Sequence, residues 1–141
     1  MKHIRIRTLV LAVLLVFLLA ACSGRDDPPD PGTPEPPPLN GSYVSQLGTL
    51  SFNGDGETVT LDLSQQLAEA MGFPAGESEG TYVFLFHHGA WRYDAAESLR
   101  ITVGDASFET LNKHGETDEN AVVIQSPMDD SWLRFERTGN A

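Results

Sequence analysis

Few residues in this sequence are placed to do chemistry. Cys22 is the only cysteine, so it can carry a thiol reaction but no disulfide within the chain. His87 and His88 are adjacent. On a strand they would point to opposite faces and could not share one metal ion. At a turn they would still need Asp94, His114 or another carboxylate to complete a site. Carboxylates gather in Glu116-Thr117-Asp118-Glu119, at Asp129-Asp130 and in Asn53-Gly54-Asp55-Gly56-Glu57. Calcium favours such oxygen-rich loops, but none matches the EF-hand spacing, and they read as solvated acidic turns. Ser45, Ser51, Ser98 and Ser126 lack the flanking glycines of a nucleophile elbow. The glycines sit at turns rather than in a phosphate-cradling loop. No catalytic set, metal site or cofactor is therefore assigned. The remaining signal is aromatic: Tyr82, Phe84, Phe86, Trp91, Tyr93 and Trp132. Brought together across adjacent strands, they either fill a core or line a space for an apolar ligand, and core filling is the simpler expectation.

The elements that would position these residues begin with an N-terminal signal. Lys2, Arg5 and Arg7 make a basic start, and Leu9 to Ala21 is unbroken apolar sequence. That run is short for a bilayer span, which needs roughly 20 residues, and fits a signal peptide. Leu19-Ala20-Ala21-Cys22 at its end resembles the lipobox of bacterial lipoproteins: an aliphatic residue, two small ones, then cysteine. In that family a diacylglycerol is attached to the cysteine sulfur and signal peptidase II cuts before it. The resemblance implies that residues 1–21 are removed and that Cys22 is lipidated, acylated and held in a membrane. Ser23 follows. By the same resemblance it implies the outer membrane if the source is Gram-negative; in a Gram-positive cell the anchor sits in the outer leaflet of the only membrane.

Residues 22–38 form the lipidated cysteine and a tether. Seven of the nine prolines lie between Ser23 and Pro38, with almost nothing apolar to bury. Such a segment cannot offset its ordering entropy by packing. Proline biases it to the extended polyproline II form at roughly 3.1 Å per residue, so it could hold a domain up to about 50 Å from the lipid.

Residues 39–141 are the folding unit, long enough for one core and no more. The hydrophobic period there is two. Leu50 and Phe52; Val59, Leu61 and Leu63; Leu99, Ile101 and Val103; and Leu133 and Phe135 each alternate with polar residues, as half-buried strands do. Asn53-Gly54-Asp55-Gly56 predicts a hairpin. His87-His88-Gly89 predicts another, between strands Tyr82–Phe86 and Trp91–Tyr93. Leu63, Leu67 and Met71 recur every fourth residue and predict one short helix near 63–72. Asp62 or Ser64 would cap it, and Gly72 and Pro74 would stop it. Strand Thr81–Phe86 is apolar on both faces and is expected to lie centrally, under the helix. Asn40-Gly41-Ser42-Tyr43-Val44 and Glu79-Gly80-Thr81-Tyr82-Val83 echo each other. The Gly-x-aromatic opening resembles that of lipocalin-like bacterial lipoproteins. Together these features predict a mostly β fold: a small antiparallel barrel or strongly curled sheet of about eight or nine strands with one helix.

All 20 acidic residues follow Cys22, whereas three of the nine basic ones leave with the signal, so the mature side chains balance at 6 − 20 = −14. That charge disfavours nucleic acid and anionic headgroups and would attract a basic protein. The expected function is a non-catalytic binding module, anchored through lipid on Cys22 outside the cytoplasm. A basic protein or an apolar small ligand is the expected partner. A structural or assembly accessory of the envelope is the alternative, and an enzyme comes third.

Overall fold

The computed structural model describes residues 34–86 and 90–139. The signal, Cys22, Ser23 and most of the tether lie outside the described residues, as does His87-His88-Gly89. Eight antiparallel strands follow one another as β1 (Asn40–Ser45), β2 (Gly48–Asn53), β3 (Thr58–Leu63), β4 (Gly76–Phe86), β5 (Ala96–Val103), β6 (Ala106–Leu111), β7 (Ala121–Gln125) and β8 (Trp132–Arg137). The first six form a meander, and β8 pairs back on β1 through Tyr43↔Arg137 and Val44↔Glu136. Strands β6 and β7 meet through the bridge Asn112↔Ile124. The result is a nearly closed up-and-down barrel, as the strand count predicted.

Alternation decides what fills it. Tyr43, Leu50 and Leu61 lie in one cross-strand row, and Phe52 pairs with Val59 in the next. Tyr82 pairs with Ile101, and Phe84 with Leu99. From the other side come Val122 opposite Phe135 and Ile124 opposite Leu133. These residues, all but Phe84 and Leu133 buried, pack as a single cluster. The interior is therefore solid with side chains, as eight-stranded barrels commonly are.

One helix, α1 (Gln65–Met71), follows β3. Leu63 belongs to β3, so the helix starts later than its spacing suggested. The cap is Ser64, whose Oγ accepts from the Leu67 N–H at 3.3 Å, and Asp62 stays on the strand. Gly72 ends the helix in the left-handed conformation, at φ 77°. The Ser64 N–H donates to the Leu47 carbonyl in the β1–β2 turn, and Phe73 reaches Phe108 on β6 with ring centroids 6.5 Å apart. Leu67, Ala68 and Met71 are buried. The helix thus crosses and plugs one end of the barrel.

Two expectations need correction. Strand β4 is central but not covered on both faces: Val83 is 44% exposed, and the helix lies at the barrel end. Trp91–Tyr93 is not a strand; Tyr93–Ala95 is a 3-10 turn leading into β5, so the β4–β5 connection is a long excursion and not a tight hairpin. The two echoing segments use their glycines differently. Gly41 needs its positive φ of 101°. Gly80 has ordinary dihedrals, but a methyl there would come within 2.3 Å of the Thr102 carbonyl oxygen, so it is glycine because β5 passes too close. The two tyrosines that follow do share a role: both are buried, with Phe52 between them.

Candidate functional site

Strand direction puts the start of β1, the β2–β3 turn, the β4–β5 connection and the β6–β7 connection at the end opposite the helix. Residues 34–38, the described end of the proline-rich segment, lie here. Phe84 and Phe86 are two residues apart on β4 and project the same way. The register shifts by one residue between the pairs Leu85↔Ser98 and Phe86↔Ala96, with Glu97 of β5 as the extra residue. The excursion that follows returns Trp91 and Tyr93 to the same place. Ring centroids stand 5.4 Å apart for Phe86 and Trp91, 5.7 Å for Phe84 and Tyr93, and 6.2 Å for Tyr82 and Phe84. Tyr82 continues inward to Phe52 at 4.7 Å, and Phe52 to Tyr43 at 5.4 Å. An aromatic ladder thus runs from the barrel core to its open rim.

The outer rungs border a cleft of about 520 Å3, closed on its other side by Glu35–Pro38 and the Asp55–Gly56 turn. A second cleft of about 480 Å3 shares Glu35, Pro36, Pro37, Trp91 and Tyr93 and extends to Gly115–Glu119. Burial pushes the Tyr93 hydroxyl well above its ordinary range, with Tyr82 and Tyr43 adding to the shift. Tyr82 is raised by burial too, against a hydrogen bond from the Leu39 backbone. Both are neutral at any physiological pH. Being buried, they back the cleft without bringing charge to it. The rim is acidic: Glu35 and Asp55 border the first cleft, and Asp94, Asp118 and Glu119 the second. Asp94 is matched by Arg92 at 2.9 Å. No serine, cysteine or histidine is among the described residues lining either cleft. Such walls suit a neutral apolar or amphipathic ligand and repel an anion.

No family model, curated protein or solved structure matches this chain.

Trp132 does not join the aromatic group. It lies on the outside of β8, 46% exposed, with the Lys113 ammonium 5.9 Å from its ring. The alternation already noted forecasts this: Leu133 and Phe135 point inward, so Trp132 shares the outward face of Arg134 and Glu136. Among the described residues no three His, Cys, Asp or Glu side chains converge as metal ligands. The acidic turns spend their oxygens on their own backbone. Asp55 accepts from the Thr58 hydroxyl at 2.6 Å and from the Thr58 and Glu57 amides at 2.7 Å, which holds its carboxyl far below the usual carboxylate range. Asp118 accepts from the Asn120 and Ala121 amides. Asp129 accepts from Ser131, and its pKa is lowered by that bond and one from Ser126. His114 is exposed.

One group that sequence reasoning missed frames the site. Asn112 and Thr117 are buried polar residues at the seam between β6 and β7. The Asn112 side-chain amide donates to the Ala96 carbonyl at 2.9 Å and to the Tyr93 carbonyl at 3.1 Å. Its oxygen accepts from the Thr117 hydroxyl, which in turn accepts from the Val123 N–H at 3.0 Å. This network fastens the cleft-forming excursion, the end of β6 and strand β7 together. Tyr43 adds a second tie, donating its hydroxyl to the Glu119 carbonyl at 2.9 Å. No pattern of residue types announces it, because Asn112 and Thr117 sit in an otherwise polar stretch.

Proposed function

We propose that this chain is a lipid-anchored envelope protein whose barrel is a non-catalytic binding module, working through the aromatic cleft at the tether end. The observation that carries the reading is the ladder Tyr82–Phe84–Phe86–Trp91, with Tyr93 against Phe84, which continues the core to the rim and sets the half-buried rings of Phe84, Phe86 and Trp91 beside an open volume. A solid interior supports a ligand held at the rim rather than within the barrel. An acidic rim supports a neutral or basic partner. The lipobox-like Leu19-Ala20-Ala21-Cys22 supports attachment outside the cytoplasm.

Two experiments test the two halves. Cells fed a fatty-acid analogue should label the native chain and leave Cys22→Ala unlabelled and released from the membrane fraction. An unlabelled native chain would remove the anchor. For the cleft, Trp132→Phe leaves Trp91 as the only tryptophan. Titration with the neutral probe N-phenyl-1-naphthylamine should quench Trp91 and raise probe emission. Phe86→Ala should weaken uptake about tenfold or more, the worth of one aromatic contact surface. Probe uptake that is absent, or indifferent to Phe86→Ala while near-ultraviolet circular dichroism stays native, sinks the reading.

A further inference from the structure

The two clefts at the tether end are halves of one groove, divided by a short piece of the chain itself. Glu35, Pro36 and Pro37 border both, and Trp91 and Tyr93 border both from the other side. Three consecutive prolines follow Glu35. Prolines have no amide hydrogen, so Pro36–Pro38 can lie on ring faces without stranding a donor, and their φ is set in advance. Grooves lined by aromatics take such segments for that reason. The base of the segment is firmly fixed: Leu39 is buried in the core cluster. Pro38 lies over Gly56, where a methyl would come within 3.6 Å of its ring. Along the prolines the seating is shallow. Pro36 is half-buried, while Pro37 and Pro38 are exposed.

We propose that the groove is a polyproline-binding site whose resident occupant is the chain's own Glu35–Pro38, a strap that covers the aromatic cleft and can leave it. This rests on the cleft being the binding site, and it adds a condition: a ligand that spans both clefts must displace the strap. The strap also takes up part of the tether, so docking draws the barrel nearer the lipid and release lets it extend.

The test uses the mature full-length chain carrying Trp132→Phe, with and without the triple change Pro36→Ser, Pro37→Ser and Pro38→Ser. The probe is a free Pro-Pro-Pro peptide blocked at both ends, which carries no charge. Loss of the strap should shift Trp91 emission to the red. The peptide should bind the strapless chain about tenfold or more tighter than the native one, because a tethered copy competes at an effective concentration in the millimolar range. Native Trp91 emission should not change on dilution. Emission and peptide affinity alike in both chains overturn the strap. If N-phenyl-1-naphthylamine still enters both chains in that case, the cleft reading stands and the strap alone falls. Loss of probe uptake from both chains removes the cleft reading. A dilution-dependent emission would show the segment to come from a second copy and overturn the intramolecular assignment.

Discussion

Phe52→Ala is expected to destabilise the barrel by about 3–5 kcal/mol, the usual loss when a buried phenyl ring is removed and its space only partly refills. Phe52 is 4% exposed and stands edge-on to two rings, Tyr43 at an interplanar angle of 84° and Tyr82 at 75°. Edge-to-face contacts of this kind add to the burial of the ring itself. Loss of one ring therefore leaves both neighbours without a wall. Because Tyr82 carries the ladder on to Phe84, the damage should travel outward. Urea unfolding should show the stability loss, and N-phenyl-1-naphthylamine uptake should weaken under conditions where the variant remains folded. Phe52→Leu, which keeps most of the volume, should cost less than about 1.5 kcal/mol. A loss below about 1 kcal/mol for Phe52→Ala would mean that the ring is not a keystone of the core.

Asn112→Asp tests the seam. The two side chains have the same shape, so packing is conserved and only the donor is lost. Two carbonyls, those of Tyr93 and Ala96, then face a carboxylate oxygen instead of an N–H. Each orphaned polar group costs about 1–3 kcal/mol, so about 3 kcal/mol in all is expected at neutral pH. The sign of the pH dependence is also determined. Burial against two carbonyls raises the pKa of the new carboxyl in the folded state. A raised folded pKa means that the variant's stability is greatest below the unfolded carboxylate value and falls as pH rises through the folded one. Urea midpoints should therefore converge with the native protein in acid and diverge at neutral pH. Equal midpoints at neutral pH would show that the Asn112 amide bonds contribute nothing to closing the barrel. Trp91 emission should report the same loss locally, since the excursion that carries Trp91 is fastened by these bonds.

Much of the scaffold was legible because a half-buried strand writes its geometry into a period of two. Leu50 and Phe52, Val59 through Leu63, Leu99 through Val103, and Leu133 and Phe135 all lie on the strands their alternation indicates. The short helix was legible from Leu67 and Met71, and its end from Gly72. Strand β7 shows no alternation, because Ala121, Val122, Val123 and Ile124 are all buried: the barrel covers one face, and the segment carrying Thr117 ties down the other. The first half of β4 was hidden for the opposite reason. Gly76, Ser78 and Gly80 pair with Leu63, Leu61 and Val59 and so face the barrel's interior, where small residues make no hydrophobic signal.

By itself the sequence determined the fold class, the inward face of most strands, the strongly acidic character and the aromatic stock from which the cleft is built. It also held the reason that Trp132 stays outside, in the parity of β8. Only the tertiary structure decided that Phe84, Phe86, Trp91 and Tyr93 meet at the barrel end opposite the helix, that Asn112 fastens the Tyr93 segment there, and that Pro36–Pro38 borders the same groove. The physical reason is that strand parity is local, repeating every two residues, whereas the cleft depends on which ends of eight strands come together when β8 returns to β1. The barrel brings Pro38 and Trp91 to one cleft although about 50 residues separate them in the chain.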